Sequence, residues 1–258
     1  MRVVNIGSGS KGNCTYIECG NHHILVDIGF SFKQTTKRLK EIGVDISFID
    51  TILITHEHTD HIKGLHEALN HNINVYIEQN CARVLGITNR RNVFFINDED
   101  FYIDDIQVQP FYLSHDAIAC LGFRVKYKDA AVAFLTDTGV VPDGIITLLK
   151  DCKVVFIESN HEEELLMQTK YPYMIKKRII SDIGHLSNSQ CGNAIVKLAF
   201  FGVKYFALCH LSENSNTKEI ACNTVARIIE NAGFVINEDV VLRLTRQEGK
   251  SNNFIIGE

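Results

Sequence analysis

Five short apolar runs in this 258-residue chain each end on a histidine or an aspartate. "HILVD" ends at Asp27, "TILITH" at His56, "FYLSH" at His115, "AFLTD" at Asp137 and "FALCH" at His210. Runs this short and this apolar read as strands buried on both faces. Such strands need a covering layer on each side of their sheet, and their polar ends must emerge at a sheet edge, where a cleft can form. The composition supports that demand, with 45% hydrophobic and 22% charged residues, enough for a sizeable core.

The rest of the pattern supplies the layers. "RVVNI", "TYIEC" and "HHILVDI" read as strands, the last two flanking a "GN" turn. "SFKQTTKRLKEIG" reads as a helix with Ser31 as N-cap and Gly43 just past its end. "IDTILIT" follows as a strand, "HIKGLHEALNH" as a helix, "NVYIE" as a strand and "QNCARVLG" as a short helix. "NVFFI", "FYI" and "IQVQPFYLS" are further strands. The second half repeats the plan, opening with a hairpin of "CLGFRVKY" and "AAVAFLTDT". "DGIITLLKD" is a helix, "KVVFIES" a strand, and helices are expected over roughly 161–170, 173–181 and 187–201. "VKYFALCH" is a strand, a helix lies near 216–232, and "VVLRLT" is the terminal strand. Two sheets with helices outside both make an α/β fold, an αββα four-layer sandwich. With only three prolines and no low-complexity linker, the expectation is one domain over residues 1–258.

One strand end carries far more than a single polar residue. "HEHTDH" packs His56, His58, Asp60 and His61 into six positions. His56 and His58 share a side of an extended segment, and Asp60 and His61 sit where the chain turns into a helix. Neutral imidazole and carboxylate are ligands for zinc, and equally for manganese or iron. A histidine-rich surface loop is the bland alternative, and the density of the cluster behind a buried strand argues against it. Asp27, His115, Asp137 and His210 could each be a turn or cap residue taken alone. Together, beside the cluster, they point to one shared cation site.

The series Asp27, "HEHTDH", His115, Asp137, His210 resembles the ordered motif set of the metallo-β-lactamase superfamily, from about residue 3 to residue 245. The resemblance implies two divalent metal ions, zinc or manganese, with iron also possible. His56, His58 and His115 would form one site. Asp60, His61 and His210 would form the other, and Asp137 would bridge them. Asp27 would stand behind the ligands and orient the cluster loop by hydrogen bonds. Glu57 falls at a variable position and receives no role. The chemistry implied is attack by a metal-bridged hydroxide on phosphorus or a carbonyl, with Asp60 also orienting the nucleophile.

"GSGSKGN", "THEHTDH", "LSHD", "TDTG", "ESNH" and "GHLSNSQ" together are similar to the YycJ family, also called WalJ or VicX. That resemblance implies a 5′-to-3′ DNA exonuclease with a part in mismatch repair. His185 would contact the scissile phosphate or protonate the leaving oxygen. Ser187 or Asn188 would cap the next helix and turn its N–H groups toward an anion. Ser8, Ser10 and Asn13 of the glycine-rich "GSGSKGNC" would cradle a phosphate, although a plain turn is an equal reading. Lys176, Lys177 and Arg178 would meet a nucleic-acid backbone, or simply form a solvated helix face. Asn160 or His161 would line the cleft, although a helix start is an equal reading of both, and Glu162 stands where an aspartate is expected. One hairpin between His115 and Asp137 leaves no room for a long tRNA-gripping arm. His22, His23, His66 and His71 receive structural readings.

The alternative is a small-molecule metallo-hydrolase acting on a cyclic phosphodiester, thioester or lactone, with the same metals. A non-catalytic metal-binding regulator is a third possibility, which a ligand set with an open position argues against. The net charge of -5 excludes a chain coated in basic charge but not a local basic patch. Eight cysteines without a C-x-x-C pair, no secretory signal and no membrane-length apolar run lead to an expected cytoplasmic location with no membrane partner.

Overall fold

The computed structural model describes residues 1–247 and 253–256. Among them, two seven-stranded sheets pack face to face. The first contains β1 (Arg2–Gly7), β2 (Cys14–Cys19), β3 (His22–Val26), β4 (Thr51–Leu53), β5 (Asn74–Glu78) and β6 (Val93–Ile96) in that order. The second contains β7 (Phe101–Ile103), β8 (Ile106–Leu113), β9 (Cys120–Tyr127), β10 (Ala130–Leu135), β11 (Val154–Glu158), β12 (Tyr205–Cys209) and β13 (Val241–Leu244). β14 (Asn253–Ile255) returns to the first sheet and pairs with β1. Each sheet therefore has three antiparallel joins followed by three parallel ones.

The helices are α1 (Phe32–Glu41), α2 (Thr59–Ile62), α3 (Leu65–Asn70), α4 (Gln79–Val84), α5 (Asp143–Leu149), α6 (Glu163–Gln168), α7 (Tyr173–Ile179), α8 (Asn188–Phe200) and α9 (Lys218–Asn231). Strand alternation divides the apolar residues among three cores. Ile24 and Val26 of β3 join Val132 and Phe134 of β10 between the sheets. Leu25 faces outward to Leu39 of α1 and Leu65 of α3. Ala131, Ala133 and Leu135 face outward to Ile195 of α8 and Ile229 of α9. Three cores between four layers are the αββα sandwich expected. Phe123 and Phe156 are fully buried in the central core, each contributing roughly 1.5–3 kcal/mol.

Two details differ from the sequence reading. The helix expected over "HIKGLHEALNH" is two, α2 and α3, broken at Gly64. A Cβ on Gly64 would stand 2.6 Å from the carbonyl oxygen of Phe30, so the chain is pressed against that loop where the helix breaks. β14 was not anticipated, because three residues after a polar stretch carry no strand signal of their own. Only the open edge of β1 organises them.

The parallel strands position the site. β3, β10 and β12 each hand over to a residue in the left-handed region: Asp27 at φ 61°, Asp137 at φ 62° and His210 at φ 52°. That conformation is costly for non-glycine residues and concentrates at functional sites. Here it turns the chain sharply at the strand end.

Candidate metal centre

The cluster loop is held from behind by Asp27. Its Oδ1 accepts from the Thr55 N–H at 2.9 Å and from Thr55 Oγ1 at 3.0 Å, and its Oδ2 accepts from His61 Nδ1 at 2.7 Å. One carboxylate thus fixes both ends of segment 55–61. Gly29 lets the neighbouring turn approach, since a Cβ there would lie 1.7 Å from the Asp60 carbonyl oxygen. The Asn13 N–H donates to the same oxygen at 2.8 Å.

The distant strand ends reach this loop. Ligand atoms of His56, His58 and His115 lie within 4.8 Å of one another, as do those of Asp60, His61 and His210. His56, His61 and Asp137 form an overlapping triple within the same limit. His56 Nδ1 lies 3.0 Å from Thr55 Oγ1, and in four further rings Nδ1 meets a carboxylate or carbonyl oxygen. His61 Nδ1 meets Asp27, His115 Nδ1 donates to the Gly184 carbonyl at 3.1 Å, His210 Nδ1 meets Glu158 at 3.0 Å, and His185 Nδ1 meets Glu158 at 2.7 Å. Such partners fix the tautomer and leave Nε2 for a cation or a substrate.

The inward-facing atoms suit a cation. Among the described residues, His56 Nε2 and Asp137 Oδ2 are buried without a hydrogen-bond partner. His61 Nε2 faces Asp137 Oδ2 across 3.1 Å, and the ring proton is already directed at Asp27. Two buried acceptors facing each other are unfavourable unless positive charge lies between them. The ionisation of the groups agrees. Burial pushes His56 and His115 below the ordinary imidazole range, which favours the neutral ring that binding a cation needs. Against the cost of burial, Asp27 and Asp137 raise His61, and Asp137 with Asp60 and Glu158 raises His210. Burial would raise Asp137 as well, but His210 and His61 hold it well below the carboxylate range. The carboxylates are arranged to keep positive charge here.

Glu158 was missed in the sequence, although it ends the apolar run "KVVFIE" just as Asp27 and Asp137 end theirs. It is fully buried, accepts from the Thr138 N–H at 3.0 Å and orients both His185 and His210. Those two histidines outweigh burial and bring its pKa down to about 2. Glu57, given no role, has one. Its carboxylate accepts from the Ile118 N–H at 2.9 Å and from Cys81 Sγ at 3.2 Å, tying the cluster to the segment after His115.

A cavity of about 360 Å³ opens above the cluster, lined by His58, His115, Asp137, His185 and His210, with Ile175 and Arg178 of α7 on its wall. Ser10 and Asn160 also line it. Other residues expected near the substrate have partners within the protein, and Ser187 caps α8 as expected. Ser187 is buried in a capping box with Gln190, and Asn188 is buried among Ser159, Glu162 and Asn216. His161 is buried and bridges to Ser187 as part of a short ladder. Ser8 Oγ accepts from the His210 N–H at 2.9 Å. Asn13 Nδ2 lies 3.3 Å from Asp60 Oδ2 and 3.0 Å from His61 Nε2, so it braces the cluster. In the basic run, Arg178 pairs with Asp116 and Lys176 Nζ donates to the Met167 carbonyl, which leaves Lys177 directed to solvent.

Comparison with known proteins follows this geometry. A family described as "Beta-lactamase superfamily domain" matches residues 22–211. Exodeoxyribonuclease YycJ of Bacillus anthracis is 34% identical over 240 residues, spanning 90% of this chain and 90% of that protein. Exodeoxyribonuclease WalJ of Streptococcus pneumoniae is 33% identical over 243 residues, spanning 91% and 90%. The metallo-beta-lactamase fold protein YhfI from Bacillus subtilis superposes with a TM-score of 0.74 over 98% of each chain at 14% identity, a likeness of fold. By the family match and by its kinship along nine-tenths of its length with YycJ and WalJ, this chain belongs to the beta-lactamase superfamily.

Proposed function

We propose that this chain is a metal-dependent exodeoxyribonuclease that acts from the 5′ end of DNA, as one domain over residues 1–258. The observation that carries the reading is the convergence of His115, Asp137 and His210 on the "HEHTDH" loop, in a chain whose relatives over nine-tenths of its length are named exodeoxyribonucleases. The donor set suits zinc or manganese, with iron permitted by the same imidazoles and carboxylates. His56, His58 and His115 would hold one ion, Asp60, His61 and His210 the other, and Asp137 would touch both. Bound divalent ions supply Lewis acidity and lower the pKa of water.

The chain's own groups do the rest. Asp60 accepts a hydrogen bond from the attacking water and orients it. His185, anchored through Nδ1 on Glu158, offers Nε2 to the cavity and delivers a proton to the leaving oxygen. Against the cost of burial, Glu158 raises the pKa of His185, which favours the protonated ring this role needs. Ser10 and Asn160 line the path of the substrate strand. The biological setting proposed is DNA repair, including mismatch repair, in the cytoplasm. The eight cysteines are all unpaired thiols, and among the described residues no helix is long and apolar enough to cross a membrane.

The test is end-labelled duplex DNA incubated with zinc- or manganese-loaded protein beside His58→Ala. Stepwise mononucleotide release from the 5′ label, reduced about 100-fold or more in the variant, is expected. Hydrolysis of small esters with every DNA end left intact would overturn the reading in favour of a small-molecule hydrolase.

A further inference from the structure

A second cavity, about 450 Å³, adjoins the one above the cluster. Ser10 and Asp60 line both, so the two meet at a proposed ligand of the metal centre. Lys11, Arg38 and Lys63 also line the second cavity, and among the described residues Asp60 is its single acidic lining residue. In a chain of net charge -5, three cations facing one cavity are a local departure from the background.

Arg38 gives that charge a fixed position. Its guanidinium lies 3.9 Å from the centroid of the Phe30 ring. Its Nη1 donates to the carbonyls of Ile6 at 2.7 Å and Gln247 at 3.1 Å. Among the described residues no carboxylate pairs with it. The side chain is therefore ordered before any ligand arrives. Lys63, exposed just past α2, makes no ion pair among the described residues either. Lys11 reaches Glu213 at 2.7 Å in a solvent-exposed pair, which an incoming anion can replace. A stacked, preordered arginine beside exposed lysines is suited to phosphate oxygens.

We infer that this cavity is a phosphate subsite, taking a phosphate of the DNA strand next to the one that lies over the metal centre. The inference rests on the nuclease reading and sharpens it. A fixed anion site one step from the scissile bond sets the register in which a strand is cut. The phosphate is a terminal monophosphate or an internal diester, which share the chemistry recognised here.

The experiment compares the metal-loaded full chain with Lys63→Ala and Arg38→Gln. It reads the ratio of kcat/KM on duplex DNA to kcat/KM on bis(p-nitrophenyl) phosphate. The ratio is expected to fall roughly tenfold in Lys63→Ala, and the dependence of log affinity on log salt to lose about one unit of slope. Lys63→Ala is the primary variant, because Arg38 also holds two backbone carbonyls. Lys197→Ala, on the outer face of α8, keeps the wild-type ratio. Substrates with a 5′-phosphate or a 5′-hydroxyl separate the two sources. A wild-type preference for the phosphate that vanishes in Lys63→Ala assigns the terminal group, and equal losses on both assign the internal diester. A wild-type ratio in both Lys63→Ala and Arg38→Gln, with DNA still degraded, overturns the subsite and leaves the nuclease standing. Wild-type protein that cleaves only the small ester overturns the nuclease reading itself.

Discussion

The two sheets use the same backbone device and obtain different chemistry from it. β3 and β10 each begin the parallel half of their sheet, and just beyond each strand lies an aspartate with φ near 60°. Asp27 turns its carboxylate onto Thr55 and His61, so both its oxygens have partners within its own half. Asp137 turns its carboxylate among His61, His115 and His210 and leaves Oδ2 without a hydrogen bond. The next strands diverge as well. β4 opens into a loop carrying four of the clustered residues, whereas β11 ends on Glu158 alone. One half thus carries a dense histidine-rich loop with an internal brace. The other sends in single residues from separate strand ends, and these depend on the fold for their alignment.

Breaking the comparison at its strongest point means Asp137→Asn. Loss of a shared negative charge at the centre should lower nuclease activity on the order of 1,000-fold and reduce bound metal, read by elemental analysis of the purified protein. Full metal content with wild-type turnover would remove Asp137 from the centre. Asp27→Asn should behave differently, because it removes an orienting partner. Metal affinity should fall about 10- to 100-fold, with much of the activity restored by excess metal, read by metal titration of activity. A variant that excess metal cannot rescue would put Asp27 on the same footing as Asp137 and erase the contrast.

Glu158→Gln gives the smallest effect and a pH signature in the metal-free protein. The carboxyl is lowered from its ordinary 4.5 to about 2 in the folded chain. A lowered carboxylate stabilises the fold above its unfolded pKa and loses that contribution as pH falls through the folded value. Wild type should therefore melt above Glu158→Gln at pH 7, and the gap should narrow as pH falls below about 4.5 toward 2. Thermal melting across that range reads it, and a gap that widens on acidification would contradict the assignment.

Much of this arrangement was legible in the residues. Apolar runs ending on Asp27, His115, Asp137 and His210 pointed at the strand ends that the fold brings together, and strands apolar on both faces called for the covering helix layers. What stayed hidden depended on direction rather than residue type. "KVVFIE" carries the same signal as its counterparts, yet nothing in it says that Glu158 turns toward two histidines. "HLSNSQ" allowed a helix cap and an anion site together. Burial closes the second, because Ser187 caps inward with Gln190 and Asn188 is enclosed on all sides. The left-handed turns at Asp27, Asp137 and His210 are likewise invisible in the letters, since aspartate and histidine occupy that region only where surrounding contacts hold them there.

The return of β14 to β1 has a consequence for synthesis on the ribosome. Met1 and Ile256 exchange hydrogen bonds across 255 positions of chain, so β1 emerges early and its outer edge meets its partner very late. At about 5–20 residues per second that edge stays bare for roughly 13–50 s. An unpaired strand edge invites pairing with other nascent chains. The growing polypeptide is therefore open to aggregation along β1 until well after the residues of the "HEHTDH" loop have been made.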